Sequence, residues 1–189
     1  MGKKNMSKKI LVPVADGTEE LEAVSIIDCL RRAGAEVTVA SVQDLQIVTS
    51  RKIKITADCL IKDCADQIYD LIVLPGGMPG AEHLRDSEVL ITMLKDHVEA
   101  GRLYAAICAS PAVVLEHHGL LAGKKATCHP SFMGKLKNTS AVNQTVVVDG
   151  HCITSQGAGT ALEFSLKLAE ILFGLEKRNE IAKAMVVRK

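Results

Sequence analysis

The sequence predicts an α/β fold. Short apolar runs of strand length alternate with helical stretches along the whole chain, and most of the runs end in glycine- or proline-bearing turns. No linker, low-complexity segment or internal repeat interrupts the alternation, and 189 residues at 48% hydrophobic and 24% charged suit one compact domain spanning 1–189. A domain of this size buries about 70% of the surface of its unfolded chain, so its core needs neither disulfides nor a structural metal.

Taken in order, Lys9 to Val14 is a first buried strand, and Glu19 to Ala33 is a helix closed by Gly34 in the C-terminal capping position. Glu36 to Val42 is a second strand. Arg51 to Thr56 alternates polar and apolar residues, the pattern of an edge strand. Asp70 to Leu74 is apolar after its first residue and runs into Pro75-Gly-Gly-Met-Pro-Gly80, so it reads as a central strand ending in a tight loop. Ser87 to Glu99 is a helix stopped by Gly101. Leu103 to Ile107 is a strand, and Pro111 to Glu116 a helix whose proline suits its first turn. Thr145 to Val148 and Cys152 to Ser155 flank Asp149-Gly150, a hairpin turn dipeptide. Thr160 to Phe173 forms a long helix, and a last short one falls within Glu176 to Met185.

Lys plus Arg number 23 against 22 Asp plus Glu, a net charge of +1 that denies the chain the basic field a phosphate backbone demands. Two Tyr, three Phe and no Trp leave no base-stacking platform, so nucleic acid is not expected as a main partner. No run approaches the roughly 18 apolar residues of a membrane span, and no membrane partner is expected. Cys29, Cys59, Cys64, Cys108, Cys128 and Cys152 form no C-x-x-C pair and follow no apolar signal segment, which fits reduced thiols in a cytoplasmic protein. Residues 1–7 read as a short lysine-bearing tail. Gly2 invites a myristoylation reading, but the hydroxyl at Ser7 comes one place late for that motif.

In open α/β sheets the functional crevice lies beyond the carboxyl ends of the strands, which here means the segments after Val14, Leu74, Ile107 and Ser155. Only Cys108, Ala109 and Ser110 join strand to helix after Ile107. A cysteine in such a turn lies against a helix N-terminus, where free N–H groups favour a thiolate, so Cys108 is expected to be the most acidic of the six thiols. The alternative is a small buried residue without chemistry. Glu22 sits at the edge of the sheet-facing stripe Ala23, Ile26, Ile27, Leu30 and Ala33, where partial desolvation raises a carboxyl pKa. Its alternative role is to favour the helix N-terminus together with Glu19 and Glu20. Gly76-Gly77 brings backbone N–H groups close without side-chain obstruction, suiting an oxyanion or an ordinary turn. His129 lies on a loop, as a partner for Cys108 or as a surface histidine. No ligand spacing supports a zinc site, and Gly157-Ala-Gly-Thr160 lacks the third glycine of a dinucleotide loop.

Five segments occur together: Gly17-Thr-Glu-Glu-Leu-Glu22, Leu74-Pro-Gly-Gly-Met-Pro-Gly80, Ala105-Ala-Ile-Cys-Ala-Ser-Pro111, Thr127-Cys-His-Pro130 and Thr154-Ser-Gln-Gly-Ala-Gly-Thr160. In order and spacing they resemble the ThiJ/PfpI superfamily in its DJ-one branch, over nearly the whole chain. The resemblance implies a flavodoxin-like three-layer sandwich, mostly parallel in its central sheet, with helices on both faces and a strand-to-helix nucleophile elbow at Cys108. It also implies a homodimer and an active site without cofactor or metal. By the same resemblance Cys108 is the oxidisable nucleophile, Glu22 its hydrogen-bonding carboxyl, His129 the nearby histidine, and Gly77 and Ala109 the backbone donors. Arg51 resembles an arginine that enters the pocket from the neighbouring subunit. The implied activities are glyoxalase action on methylglyoxal or other small aldehydes, repair of glycated adducts, redox sensing and chaperone-like protection. Ala109 stands where the protease branch carries histidine, so a peptidase is the weaker reading. Gln156 and Ala158 replace a usual arginine and proline, and Ser110 a common glycine, which bears on substrate preference.

The dimer has support of its own. Leu21, Val24, Ser25, Asp28 and Arg32 line the helix face opposite the sheet, and two aliphatics there suit a two-fold interface in which Asp28 meets Arg32 of the other subunit.

Overall fold

A computed structural model describes residues 7–188. Gly2 and most of the expected tail therefore lie outside the described residues, whereas the Ser7 hydroxyl donates to the Gly34 carbonyl at 3.1 Å. The chain runs β1 (Lys9–Val14), α1 (Glu20–Arg32), β2 (Glu36–Ser41), β3 (Gln46–Val48), β4 (Lys54–Thr56), β5 (Cys59–Leu60), β6 (Leu71–Leu74), α2 (Gly80–Asp86) and α3 (Glu88–Glu99). It continues through β7 (Leu103–Ile107), a π-helix (Pro111–Glu116), β8 (Val146–Asp149), β9 (Cys152–Ser155), α4 (Ala161–Phe173) and α5 (Leu175–Ala184).

Seven strands form one sheet in the order β5-β2-β1-β6-β7-β9-β8, parallel throughout except for β8, which runs antiparallel at one edge. The strand pleat divides the apolar runs between two cores. Ile10, Val12, Leu71, Val73, Ile107 and Ile153 pack with Ile26 and Leu30 of α1, Phe164 and Leu168 of α4, and Ile181 of α5. Leu11, Ile72, Leu74 and Ala106 pack on the other side with Leu84, Leu90, Leu94 and Leu115. The result is the expected three-layer sandwich. Continuous apolar strands such as Leu71–Leu74 are explained by burial on both faces. Helix α1 starts with Glu20 and Glu22 and ends with Arg31 and Arg32, matching its dipole. Gly34 at φ 92° then closes it, with the Gly34 N–H on the Arg31 carbonyl and the Ala35 N–H on the Leu30 carbonyl. Among the described residues no helix is long and apolar enough to cross a membrane.

Two expectations need correction. Arg51 to Thr56 is not an edge strand of the main sheet: Lys54–Thr56 pairs antiparallel with Gln46–Val48 in a separate ribbon, and the two-residue β5 takes the edge. The apolar period was right, but a short alternating run cannot say which partner it pairs with. The β8–β9 turn is Gly150-His151 rather than Asp149-Gly150, because Asp149 still pairs with Cys152 and Gly150 supplies the positive φ of 61°. The short helix Gly80–Asp86 that follows the glycine- and proline-bearing loop after β6 is also missing from the sequence reading.

Phe164 is the largest wholly buried side chain and fills the layer between α4, α1 and the sheet. Phe164→Ala is expected to cost about 3–5 kcal/mol in urea unfolding followed by circular dichroism, whereas Leu175→Ala, at a side chain 59% exposed, stays within about 0.5 kcal/mol.

Candidate active site

The site is built on a strained residue. Cys108 follows β7 with φ 65°, a left-handed conformation that costs a non-glycine residue about 1 kcal/mol or more. Three hydrogen bonds hold it there. The Cys108 N–H donates to the Ser155 carbonyl at 3.1 Å, the Cys108 carbonyl accepts from the His129 N–H at 2.7 Å, and the Ser110 hydroxyl donates to the Pro75 carbonyl at 2.6 Å. Ser110 thus occupies its position as a buried tie between two loops.

The loop after β6 approaches the elbow through backbone alone. A Cβ on Gly76 would lie 2.5 Å from the Cys108 Cβ, and one on Gly77, whose φ is 90°, would lie 2.4 Å from the Glu19 nitrogen. Gly17 and Gly80 are equally confined, against Pro79 and Thr18. This closeness lets the Gly76 N–H donate to Glu22 Oε2 at 2.7 Å, while the Glu19 N–H donates to the Gly76 carbonyl at 2.9 Å.

Glu22 is wholly buried rather than at the edge of its stripe. Burial pushes its carboxyl up to about 7 against the hydrogen bond from Gly76 and the contact with Cys108. Cys108, half-buried, is pushed up to about 12, first by burial and then by the Glu22 carboxylate, while the Gly77 and Ala109 N–H groups act in the opposite direction. The expectation of a most acidic thiol therefore fails for as long as Glu22 is ionised: Cys29 and Cys128 are pushed up only to about 11. The two groups are coupled, because a charge on either one raises the pKa of the other. Glu22 Oε1 is buried and has no conventional partner among the described residues. A proton on that oxygen, donated to the sulfur, satisfies it and leaves the negative charge facing the Gly77 and Ala109 amides.

A cavity of about 320 Å³ opens over the sulfur, lined by Glu19, Glu22, Ser50, Arg51, Gly77, Met78, Cys108, Ala109, His129, Phe132 and Ala158. The structure thus brings together every residue named from the sequence for catalysis and binding: Cys108, Glu22, His129, Gly77, Ala109 and Arg51. His129 Nδ1 accepts from the Ser131 N–H at 3.2 Å, so in the neutral ring Nε2 carries the proton and is a donor. Arg51 lines the pocket of its own chain, because the β3–β4 ribbon is sewn to the start of α1: Ser50 N–H donates to the Thr18 carbonyl at 2.9 Å, Ser50 Oγ to Glu19 Oε2 at 2.6 Å, and Arg51 N–H to Glu20 Oε2 at 3.2 Å. Asp28 and Arg32 are joined within one helix at 2.7 Å, four residues apart. With Leu21 and Val24 they lie on the outer face of α1 and not in the cavity. Ser50, Met78 and Phe132 went unnoticed in the sequence, although Ser50 adjoins Arg51. Gln156 Nε2 donates to the Val142 carbonyl at 3.0 Å and ties a loop, while Ala158 reaches the pocket wall.

The raised Glu22 pKa makes stability depend on pH. A folded value of about 7 above an unfolded 4.5 gives stability that is fully present below 4.5 and lost as pH rises to 7. The loss amounts to on the order of 3 kcal/mol. Urea unfolding at pH 5 and pH 8 is expected to show this loss in the wild type and its removal in Glu22→Gln; equal slopes in both proteins would contradict the assignment.

A family model described as the DJ-1/PfpI family matches residues 8–171. Protein DJ-1 homolog B of Arabidopsis thaliana is 52% identical over 180 residues, which are 95% of this chain and 41% of that relative. The chain therefore spans less than half the length of that plant protein, and 48% of protein DJ-1 homolog A from the same plant. A Caenorhabditis elegans protein named glutathione-independent glyoxalase DJR-1.2 is 36% identical over 185 residues, 97% of each chain. The solved structure of oxidized Toxoplasma gondii DJ-1 superposes with a TM-score of 0.94 at 50% identity, covering 97% of this chain and all of the other. Since the family match runs unbroken across every segment that contributes to the cavity, from Glu19 to Ala158, the chain belongs to the DJ-1/PfpI family.

Proposed function

We propose that this chain is a glutathione-independent glyoxalase, converting methylglyoxal or similar small aldehydes to hydroxy acids without a cofactor. The observation that carries this reading is the buried Glu22 carboxyl in contact with the Cys108 thiol beneath a small cavity. The Cys108 thiolate attacks the aldehyde carbon, and the resulting oxyanion takes its hydrogen bonds from the Gly77 and Ala109 amides and the Glu22 proton. Glu22, now ionised, removes the hydrogen from that carbon to give an enediol, then returns it to the adjacent carbon. The product is a thioester on Cys108, and attack by one water releases the hydroxy acid and the thiol. A carboxyl near 7 serves both as acid and as base at neutral pH. His129 Nε2 and Arg51 orient the second carbonyl oxygen. Early glycation adducts present the same oxidation level of carbon and are the alternative substrates, which would make the protein a deglycase. The name of the C. elegans relative supports the glyoxalase reading.

The second reading is redox sensing through Cys108. It is favoured by the oxidized state named for the T. gondii structure and by the two amides, which suit sulfinate oxygens as well as an oxyanion.

The decisive assay measures hydroxy acid formed from methylglyoxal by purified protein. Cys108→Ala is expected to abolish turnover, and Glu22→Gln to lower it roughly 100-fold or more. Absence of Cys108-dependent product in the wild type would leave the redox reading.

We also propose a homodimer through the outer face of α1. Leu21 and Val24 are 52% and 53% exposed, and Val48 and Ile53 of the adjoining ribbon are exposed as well. Light scattering is expected to give twice the mass of one chain for the wild type and the mass of one chain for Leu21→Glu combined with Val24→Lys. A monomeric wild type at micromolar concentration would refute it.

A further inference from the structure

Two thiols touch at the sheet edge far from the cavity. Cys59 lies in β5, Cys64 ends the 3-10 turn Ile61–Cys64, and their Sγ atoms are 3.4 Å apart, against about 2.05 Å in a disulfide. The turn between them is already closed, with the Leu60 N–H donating to Asp63 Oδ2 at 3.3 Å, so bringing the sulfurs together orders little additional chain. Cys59 is half-buried and reachable from solvent, whereas Cys64 is buried behind it. The pair is held by a two-residue edge strand with β2 as its one neighbour in the sheet, a place where small backbone shifts disturb few contacts. Among the described residues no cluster of three His, Cys, Asp or Glu gathers as a metal site, so ligation does not account for the contact.

We propose that Cys59 and Cys64 form a second redox site, a dithiol that a small disulfide oxidant converts to an intrachain disulfide. The Cys59 thiolate attacks one sulfur of the oxidant, forming a mixed disulfide and releasing one thiolate. Cys64 then loses its proton and attacks the Cys59 sulfur, expelling the second thiolate. Two electrons and two protons leave the protein, and the oxidant departs as two thiols. Cys59 is the attacking group because it is the accessible one, and Cys64 resolves.

The site is independent of Cys108. Cys108 follows β7, four strand spacings from β5 and hence about 19 Å away across the sheet, too far for direct cross-pairing. Burial, the Cys64 contact and the carboxylates of Asp63 and Asp58 push the Cys59 thiol up to about 12. Little of such a thiol is ionised at neutral pH, so the disulfide forms slowly, and as a poor leaving group the thiol makes the disulfide slow to be reduced once made.

Lys62 lies between the two cysteines, so trypsin separates them onto different peptides that only a disulfide rejoins. The full chain, incubated with glutathione disulfide, then alkylated with iodoacetamide and digested without reduction, is expected to yield that joined pair by mass spectrometry. The yield is expected to be equal in wild type and Cys108→Ala, and the joined pair to be absent from Cys59→Ser, which lacks one of the two sulfurs. Recovery of Cys59 as a stable mixed disulfide with glutathione, or of both cysteines alkylated in the oxidised wild type, would overturn the proposal.

Discussion

The hydrogen bond from the Gly76 amide to the Glu22 carboxyl is the contact on which the rest of the site depends. It joins α1 to the loop after β6 at a point where neither element has room for a side chain between them. Because the two backbones close so tightly, Glu22 is sealed from water and Gly77 is turned toward the sulfur. The bond itself favours the ionised carboxyl, while the burial that comes with the close approach raises its pKa.

The elbow and the carboxyl impose costs that neither bears alone. A positive φ at Cys108, a buried acid and an oxygen without a conventional partner each oppose folding. They are offset by ties from three directions, through Ser155, His129 and Ser110, and by two continuous cores on either side of the sheet. A proton on Glu22 Oε1 would fill the orphan oxygen, and the Gly77 and Ala109 amides favour charge on the sulfur.

The layering was legible because burial on both faces writes itself into sequence as unbroken apolar strands, and because Gly34 and Gly101 mark helix ends without ambiguity. Cys108 and Glu22 were legible for a related reason: topology puts strand ends and helix starts at one rim. What escaped was everything that depends on distance between segments. Nothing in Arg51 itself says that Ser50 will anchor it to Glu19 and Glu20, and the Asp28–Arg32 spacing of four fits a pair within one helix as readily as one between two. A helix terminus is visible in sequence, whereas the burial and the Glu22 carboxylate that raise the Cys108 thiol depend on packed neighbours.

The glycines that meet around Glu22 and Cys108 also divide the pocket by its capacity to diverge. At Gly17, Gly76, Gly77 and Gly80 any side chain would collide with backbone or proline, so descendants of this chain have almost no viable alternatives there. Met78, Phe132 and Ala158 line the same cavity with side chains that have no such backbone collisions around them. Natural variation in what such a protein accepts should therefore accumulate along this rim while the floor stays constant, so that one reactive thiol could acquire different clients through changes at very few positions.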